Sequence, residues 1–219
     1  FLKDVFNEGA YWSRTTGTCP RGEGGAGTTV SCDFTNTGLS DDAKNAIGNT
    51  VWNLGTTNFY ENARTASGAY SAERSDNVPD GNQTTWTGQI GLMYPSDYSY
   101  ATSGGETITR ASCLEEIAGW NTMAECSRND WLYQPGVYSW SLVPNTELDL
   151  STVVATDYNG NLSIGGSTQY YANMQIEEED GTWYEYNPYF VANPTAYLKS
   201  NTRIISGTGE KSNPYVIQV

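Results

Sequence analysis

The sequence contains no histidine among its 219 residues. Histidine carries the proton in Ser-His-Asp and Cys-His catalysis and is a common ligand of zinc and iron, so the sites that depend on it are excluded. What remains for an enzyme is a pair of carboxylates, or a lysine or tyrosine that acts as acid or base. The sequence indicates no cofactor and no metal site.

Basic residues are also scarce, because 11 lysines and arginines stand against 25 aspartates and glutamates, for a net charge of −14. This balance disfavours nucleic acids and anionic membranes, which are bound through clustered basic side chains. Between Asn129 and Leu198 there is no basic residue, whereas the stretch holds nine acids, nine tyrosines and three tryptophans. It predicts either a solvated acidic face or an acidic, aromatic surface for a glycan, a cation or a basic partner.

Apolar residues make up 37% of the chain, below the ~45–50% of ordinary globular proteins, and 16 tyrosines and 7 tryptophans partly compensate. The length suits one elaborated domain or two small ones. The first residues, FLKDVFNEGAYWS, already carry Lys3 and Asp4 and contain no signal-peptide core. We expect no membrane span in this chain, and a secreted product whose natural start lies upstream of Phe1.

The four cysteines fall into two local pairs, Cys19 with Cys32 and Cys113 with Cys126, each with twelve residues between its members. Neither pair has the C-x-x-C spacing of redox or zinc motifs. We expect two short-loop disulfides, each worth about 3 kcal/mol, although four cysteines allow three connectivities. Because disulfides persist in oxidising compartments, the expected location is extracellular, at a cell surface.

Hydrophobic patterning predicts an α+β fold, with helices early and a late, mostly antiparallel sheet of short strands. The clearest helix begins with Ser40 as its N-cap and ends at Gly55. Its apolar positions recur at spacings of four, four and three: Ala43, Ile47, Val51 and Leu54.

Other elements are predicted more coarsely. Helices are expected over 65–74 and 107–121, the second with Leu114, Ile117 and Ala118 on one side. Alternation and β-branched residues predict strands over 138–143, 149–156, 161–164, 194–200, 202–207 and 213–219. The pair Asn159-Gly160 favours a two-residue hairpin turn.

The stretch WTGQIGLMYPSDYSYATSGG, residues 86–105, combines an apolar run with closely spaced tyrosines. The run from Ile90 to Met93 predicts a core strand. The following PSDYSYATS predicts a short capped turn of helix that starts at Ser96 or Asp97. Tyr98 and Tyr100 would then lie on different faces of that turn.

Four segments follow one another in a recognisable order: WTGQIGLMYPSDYSYATSGG, CLEEIAGWN with C..NDWLY, YSWSLVPN, and AYLKSNTRIISGTGEKSNPYVI. Over about residues 39–219 they resemble the C-terminal extracellular domain of surface and prepilin-like proteins of Gram-positive bacteria. The resemblance implies a C-type-lectin-like architecture, shared with formylglycine-generating-enzyme-like modules, and display at a cell surface. Residues 1–38 would be a disulfide-closed N-terminal lead-in, part of the same domain.

Two segments depart from the family pattern. Asn193 stands where the family has an arginine before proline, so a buried arginine partner of the sheet is missing or is supplied elsewhere. The segment QIEEEDGTWYEYNPYF lies in the region that commonly forms the exposed variable surface of lectin-like folds. We therefore expect ligand or partner binding on an aromatic and acidic surface with these rings: Tyr170, Tyr171, Trp183, Tyr184, Tyr186 and Tyr189.

Two acidic patterns in the second half have plainer interpretations. The acids from Glu177 to Asp180 suit a patch for calcium or a basic partner, but a run of acids before glycine is also typical of a solvated hairpin end. Asp157, Asn159 and Asn161 imitate the start of a calcium loop. The glycine falls at the fourth position of that loop rather than the sixth, so a hairpin turn is favoured.

Three functions remain open. The leading hypothesis is a non-catalytic adhesion or recognition domain that binds a glycan or a protein at a surface. The second is a structural subunit of an extracellular filament or surface layer, in which the aromatic surface packs against like subunits. The third is a secreted carboxylate-dependent glycan hydrolase, with Glu115 and Glu116 or Glu147 and Asp149 as its acids.

The cysteine spacing generates a prediction about connectivity. Peptide mapping without reductant should yield one cross-linked peptide that contains Cys19 and Cys32 and another that contains Cys113 and Cys126. Free thiols by mass spectrometry, or a crossed pairing, would refute it.

Overall fold

The computed structural model describes residues 2–20, 29–58, 61–78, 81–145, 152–165, 174–177, 183–186, 190–209 and 212–219. A π-helical turn, Leu2–Asn7, opens this part of the chain, and a 3₁₀ helix covers Ile117–Thr122. The α-helices are α1 (Ala10–Ser13), α2 (Asp41–Ala46), α3 (Ala66–Glu73), α4 (Pro95–Tyr100), α5 (Arg110–Glu115) and α6 (Ala124–Arg128).

The strands are short and occur in both halves of the chain. They are β1 (Thr16–Pro20), β2 (Thr29–Asp33), β3 (Thr50–Asn53), β4 (Thr85–Gly88), β5 (Ile90–Leu92), β6 (Tyr138–Asn145), β7 (Thr152–Thr156), β8 (Leu162–Gly165), β9 (Met174–Glu177), β10 (Trp183–Tyr186), β11 (Phe190–Val191), β12 (Pro194–Ala196), β13 (Arg203–Ser206) and β14 (Val216–Gln218). The strands β1 to β4 correct the expectation that the sheet of short strands lies late in the chain, whereas β5 is the strand predicted from Ile90 to Met93.

Most strands pair as separate ribbons. One sheet has four strands in the order β11, β6, β7, β8, with β11 parallel to β6 and the other pairs antiparallel. Five antiparallel pairs stand beside it: β1–β2, β3–β4, β5–β12, β9–β10 and β13–β14. The described residues therefore form an α+β mixture of helices and short, mostly antiparallel strands, and the predicted class is confirmed at that level.

The predicted long helix after Ser40 is instead a helix followed by a strand. Ser40 is the N-cap, and its Oγ accepts the Ala43 N–H at 3.2 Å. The helix ends at Ala46, well before the predicted end, and the chain turns into β3, where Trp52 is fully buried. The cause is local composition, because a β-branched and aromatic run at Val51 and Trp52 favours a pleated strand over a helix.

The predicted helix over 107–121 is interrupted at Glu116. Its first part, α5, follows the N-cap Thr109, whose Oγ1 accepts the Ser112 N–H at 3.1 Å. The Glu116 carboxylate accepts two hydrogen bonds from Arg64 Nη2, at 2.8 and 2.9 Å, and the chain continues as the 3₁₀ helix. The helix predicted over 65–74 is confirmed as α3.

The strand and helix predicted within residues 86–105 are confirmed. The strand is β5 and the helix is α4, on which Tyr98 is 1% exposed and Tyr100 is 40% exposed. The start of the helix is corrected. Tyr94 is the N-cap, Pro95 follows it, and the Asp97 carboxylate reaches back to accept the Tyr94 N–H at 3.2 Å.

The connection between β7 and β8 is longer than predicted. Thr156 pairs with Leu162, so five residues form the loop instead of the two-residue Asn159-Gly160 turn. The Asp157 Oδ1 atom accepts the N–H groups of Asn159 and Asn161, at 2.8 and 2.9 Å. This carboxylate thus organises the turn itself, in the manner of an Asx turn.

Two disulfides tie the chain locally. Cys19 is bonded to Cys32 across the β1–β2 ribbon, with the Cα atoms 5.8 Å apart. Cys113 on α5 is bonded to Cys126 on α6, with the Cα atoms 5.5 Å apart. The second bond lies inside the main hydrophobic cluster, together with Tyr98, Ile117, Trp120 and Val154.

The N-terminal residues pack on the same framework. Val5 and Phe6 share a hydrophobic cluster with Ile90 and Leu92 of β5. The buried Asn7 side chain donates to the Ile90 carbonyl at 2.9 Å and accepts the N–H groups of Gln89 and Ile90, at 2.8 and 2.9 Å. It therefore satisfies three backbone groups at the start of β5.

Replacement of Asn7 tests this attachment. Asn7→Leu keeps the size of the side chain but leaves the three backbone groups without the partners that Asn7 supplies. We expect the free energy of unfolding to fall by about 3 kcal/mol or more, measured by urea denaturation. The same substitution at the exposed Asn36 is the control and should cost far less. A loss below about 1 kcal/mol for Asn7→Leu would contradict this role.

Candidate functional site

A cleft of about 800 Å³ opens where three segments meet. These are α4 with its flanks, the turn that follows α6, and the start of β12. Aromatic, amide, hydroxyl and carboxyl groups line it beside apolar side chains: Met93, Asp97, Tyr100, Ala101, Trp131, Leu132, Tyr133, Gln134, Asn193, Pro194, Thr195 and Ala196. We call it the Trp131 cleft.

Trp131 is the most exposed ring of this cleft, with 67% of its surface accessible. The turn that presents it is anchored by Asp130, which is 4% exposed. One Asp130 carboxylate oxygen, Oδ1, accepts the Leu132 N–H at 2.8 Å, and the Asp130 carbonyl accepts the Tyr133 N–H at 3.0 Å. A single exposed ring is ordinary on a protein surface, but one held out on a braced turn at the edge of a cleft is suited to contact a ligand.

Tyr100 forms a second aromatic edge because of the helical period of α4. Two residues earlier, Tyr98 points into the core, where its hydroxyl donates to the Gly160 carbonyl at 2.9 Å. The end of the helix is fixed by Arg110, whose Nη2 donates to the Tyr100 carbonyl at 2.7 Å and whose Nε donates to the Thr102 carbonyl at 3.0 Å. The backbone that carries Tyr100 is therefore held from both sides.

Two amide side chains, Asn193 and Gln134, hydrogen-bond to each other on the third side of the cleft, at the start of β12. Asn193 Nδ2 donates to Ser139 Oγ on β6 at 3.1 Å, and Asn193 Oδ1 accepts from Gln134 Nε2 at 3.4 Å. Asn193 thus bridges the four-stranded sheet to the turn beside Trp131. An asparagine is short enough to fill this role and still border open space.

Asp97 supplies a carboxyl group to the cleft. Burial raises its pKa, whereas the hydrogen bond from the Tyr94 N–H and the charge of Arg74 act in the opposite direction. Asp97 is the one carboxyl among the described residues that line the cleft. A glycan hydrolase of the paired-carboxylate type requires a second acid facing it.

The carboxyl group of Asp130 is buried and has few hydrogen-bond partners. Burial raises its pKa to about 7, because the one opposing contribution is the Leu132 N–H. Its other oxygen, Oδ2, is buried and has no hydrogen-bond partner in the structure. The protonated form is therefore favoured well above the usual range of an aspartate.

The arrangement as a whole suits a polar ligand with apolar faces. Trp131, Tyr100 and Tyr133 offer flat apolar surfaces, and Asp97, Gln134 and Asn193 offer hydrogen-bonding groups within the same cleft. Concave sites of about 300–1,000 Å³ with a few fixed polar groups are typical of small-ligand binding. The pattern matches a sugar, whose ring faces stack on aromatic side chains while its hydroxyl groups take the polar ones.

The residues described as lining the cleft include none of the binding residues predicted from sequence. Tyr170, Tyr171 and Tyr189 fall outside the described residues. Trp183, Tyr184 and Tyr186 belong to β10, which runs antiparallel to β9. Glu177 ends β9, and Glu178, Glu179 and Asp180 are also outside the described part. Three of the six predicted binding residues therefore belong to the β9–β10 ribbon.

The Trp131 cleft is what sequence reasoning missed. Its signal was present in SRNDWLYQ, where a tryptophan stands among polar residues directly after two residues suited to a turn. What the sequence does not contain is the meeting of that turn with Tyr100 and Asn193, which are 31 and 62 positions away along the chain.

Comparison with family models, with curated proteins and with solved structures finds no match to this chain. None of the helices among the described residues is both long and apolar enough to cross a membrane. In the same residues, no group of three or more acidic or cysteine side chains is arranged to hold a metal ion.

The raised pKa of Asp130 generates a prediction about pH. In the unfolded chain this carboxyl ionises near pH 3.8, whereas in the fold it keeps its proton until about pH 7. Its contribution to stability is therefore complete at low pH and is lost as the pH rises through 7. We expect Asp130→Asn to reduce the fall in unfolding free energy between pH 5 and pH 8 by about 3 kcal/mol, because the rest of the loss occurs below pH 5.

The measurement is urea denaturation at several pH values. Part of the fall should remain in the variant, because burial also raises the pKa of Glu73 to about 7. The exposed Asp76→Asn is the control and should retain the parent profile. An unchanged profile in Asp130→Asn would show that Asp130 is ionised in the fold at neutral pH.

Proposed function

We propose that this chain is an extracellular recognition domain that binds a glycan in the Trp131 cleft. The observation that carries the proposal is the Trp131 ring, 67% exposed at the edge of a cleft of about 800 Å³. The turn beneath it is braced by a buried acid, so the ring is presented without the need for a rearrangement. A pre-formed aromatic platform lowers the ordering cost of binding.

The chemistry of the cleft favours neutral or amino sugars. Asp97, Gln134 and Asn193 provide acceptors and amide donors, and the described lining contains no lysine or arginine. The chain as a whole has a net charge of −14, which repels sulfated and phosphorylated polymers. Sugars with free hydroxyl or ammonium groups are the ligands that these groups complement.

An extracellular location is supported by the two disulfides, which are characteristic of proteins that work in oxidising compartments. Display at a bacterial surface and a C-type-lectin-like architecture belong to the same proposal. They are supported by the resemblance of residues 39–219, whose signature segments supply two sides of the cleft and Ala196 of the third. Membership of residues 1–38 in that domain is supported by the packing of Val5, Phe6 and Asn7 on β5.

The aromatic and acidic surface between Tyr170 and Tyr189 is a second candidate for contact with the ligand. The observation that favours it is the register of the β9–β10 ribbon, in which Trp183 pairs with Glu177 and Glu185 precedes Tyr186 along β10. An extended glycan or a protein ligand would have room on such a surface. Substitutions at the two places separate the candidates.

The experiment is a glycan array followed by calorimetry with the glycans that bind. Trp131→Ala should weaken binding about tenfold to a hundredfold, because a large stacked surface is removed. Trp131→Phe is the matched control and should weaken it less, since a smaller ring is kept. Circular dichroism should show the same fold in both variants.

Two outcomes discriminate further. If Trp183→Ala or Tyr186→Ala abolishes binding and Trp131→Ala does not, the recognition function stands and the cleft is the wrong site. If the parent protein binds no glycan on the array and no cell surface, the recognition function is wrong.

A further inference from the structure

The C-terminal residues expose an unusual share of large apolar side chains. The described part of the chain has fourteen such side chains that are exposed, and seven of them lie between positions 197 and 219. They are Tyr197, Leu198, Ile204, Ile205, Tyr215, Val216 and Val219, each between 43% and 60% exposed. We call this group the C-terminal patch. Five of the seven lie on or directly beside the paired strands β13 and β14. Large apolar groups concentrated in one region of a surface mark a contact with something else.

The ribbon within the patch leaves both of its isoleucines exposed. Ile204 and Ile205 are consecutive residues of β13, where the register with β14 shifts between Ile204 and Ser206. They are 60% and 59% exposed. Among the described residues no third strand pairs with the ribbon, which leaves both edges open. A two-stranded ribbon is marginally stable alone, and an open apolar edge is a template for pairing.

Charge distinguishes this region from the rest of the chain. Residues 190–219 contain three basic residues and one acid, for a net charge of +2. The preceding residues contain eight basic and 24 acidic residues, for a net charge of −16. Within the patch, Arg203 opens β13, and Lys199 is held in place by a hydrogen bond from its Nζ to the Asn45 carbonyl at 2.7 Å. The strongest available complement to a basic, apolar ribbon is the acidic remainder of another copy.

We propose that the C-terminal patch docks against the acidic surface of a second copy of this chain. The contact is heterologous, because two patches of like charge repel and a patch with an acidic surface attracts. A heterologous contact leaves each copy with one surface still free, so that contacts of this kind continue into rings or open filaments. The C-terminal patch itself contains none of the residues that line the Trp131 cleft.

Sedimentation velocity on the purified chain, from micromolar to several hundred micromolar and in low and high salt, tests the proposal. We expect assemblies that grow with concentration and weaken as salt increases. Arg203→Glu should weaken association about tenfold or more. The double substitution Ile204→Ser with Ile205→Ser should abolish it.

Val51→Ser is the matched control. Val51 is 58% exposed and also lies on a two-stranded ribbon, β3–β4, outside the patch. This variant should associate as the parent does. Because the double isoleucine variant removes two apolar side chains from a small ribbon, its fold is checked by circular dichroism. Arg203→Glu, at an exposed position, provides the decisive result if the double variant does not fold.

Carbodiimide cross-linking of a mixture of ¹⁵N-labelled and unlabelled chains identifies the docking surface. Mixed-isotope cross-links from Lys199 to acids that precede residue 190 are expected. A chain that is monomeric at every concentration overturns the proposal, as does association that Arg203→Glu leaves intact. Salt-insensitive dimers joined through patch-to-patch contacts would overturn the heterologous arrangement. Glycan binding by Arg203→Glu should equal that of the parent, which separates this inference from the proposed function.

Discussion

Buried side chains that hydrogen-bond to the backbone hold this structure together. In the described part of the chain, most strands have three to five residues, and five of the six sheets are simple pairs. Such ribbons do not persist alone, because each buries too little apolar surface to offset the entropy of ordering the chain. They become one framework when long polar side chains from distant segments satisfy backbone groups at their ends and edges.

Aromatic residues perform much of this bonding, which explains why a chain poor in aliphatic residues is rich in rings. Trp52 Nε1 donates to the Gly88 carbonyl at 3.0 Å, and Trp120 Nε1 donates to the Cys113 carbonyl at 2.9 Å. The Tyr94 hydroxyl exchanges hydrogen bonds with both backbone groups of Asn53, at 2.8 and 3.1 Å. Each of these residues buries a large apolar surface. Each also hydrogen-bonds to a backbone group that an aliphatic side chain would leave without a partner.

The sequence was most informative where local chemistry decides the structure. The Ser40 cap, the helix α3, the strand β5 and the buried and exposed sides of α4 all follow from spacing and capping rules. The sequence was misleading after Ala43. The apolar spacing there suits a helix, but the residues Val51 and Trp52 favour a strand. At the break, Glu116 is bonded to Arg64, 52 positions away, and no local rule contains that contact.

The cleft was beyond sequence reasoning for the same reason. Its three sides are joined by contacts such as Gln134 to Asn193, which arise once the ribbons have assembled. Exposure of Trp131 likewise depends on the burial of its neighbour Asp130, and a local pattern does not reveal which of two adjacent residues faces inward.

The disulfides have a mechanical consequence for this chain. When a chain is pulled along its length, a covalent bridge transmits the tension past the residues that it encloses. Each bond here encloses twelve residues, so 24 residues add nothing to the extended length, which is shortened by about 80 Å. Trp120 lies within the second of these loops, so the part of the core that surrounds it is protected from forced extension for as long as the bond to Cys126 is intact.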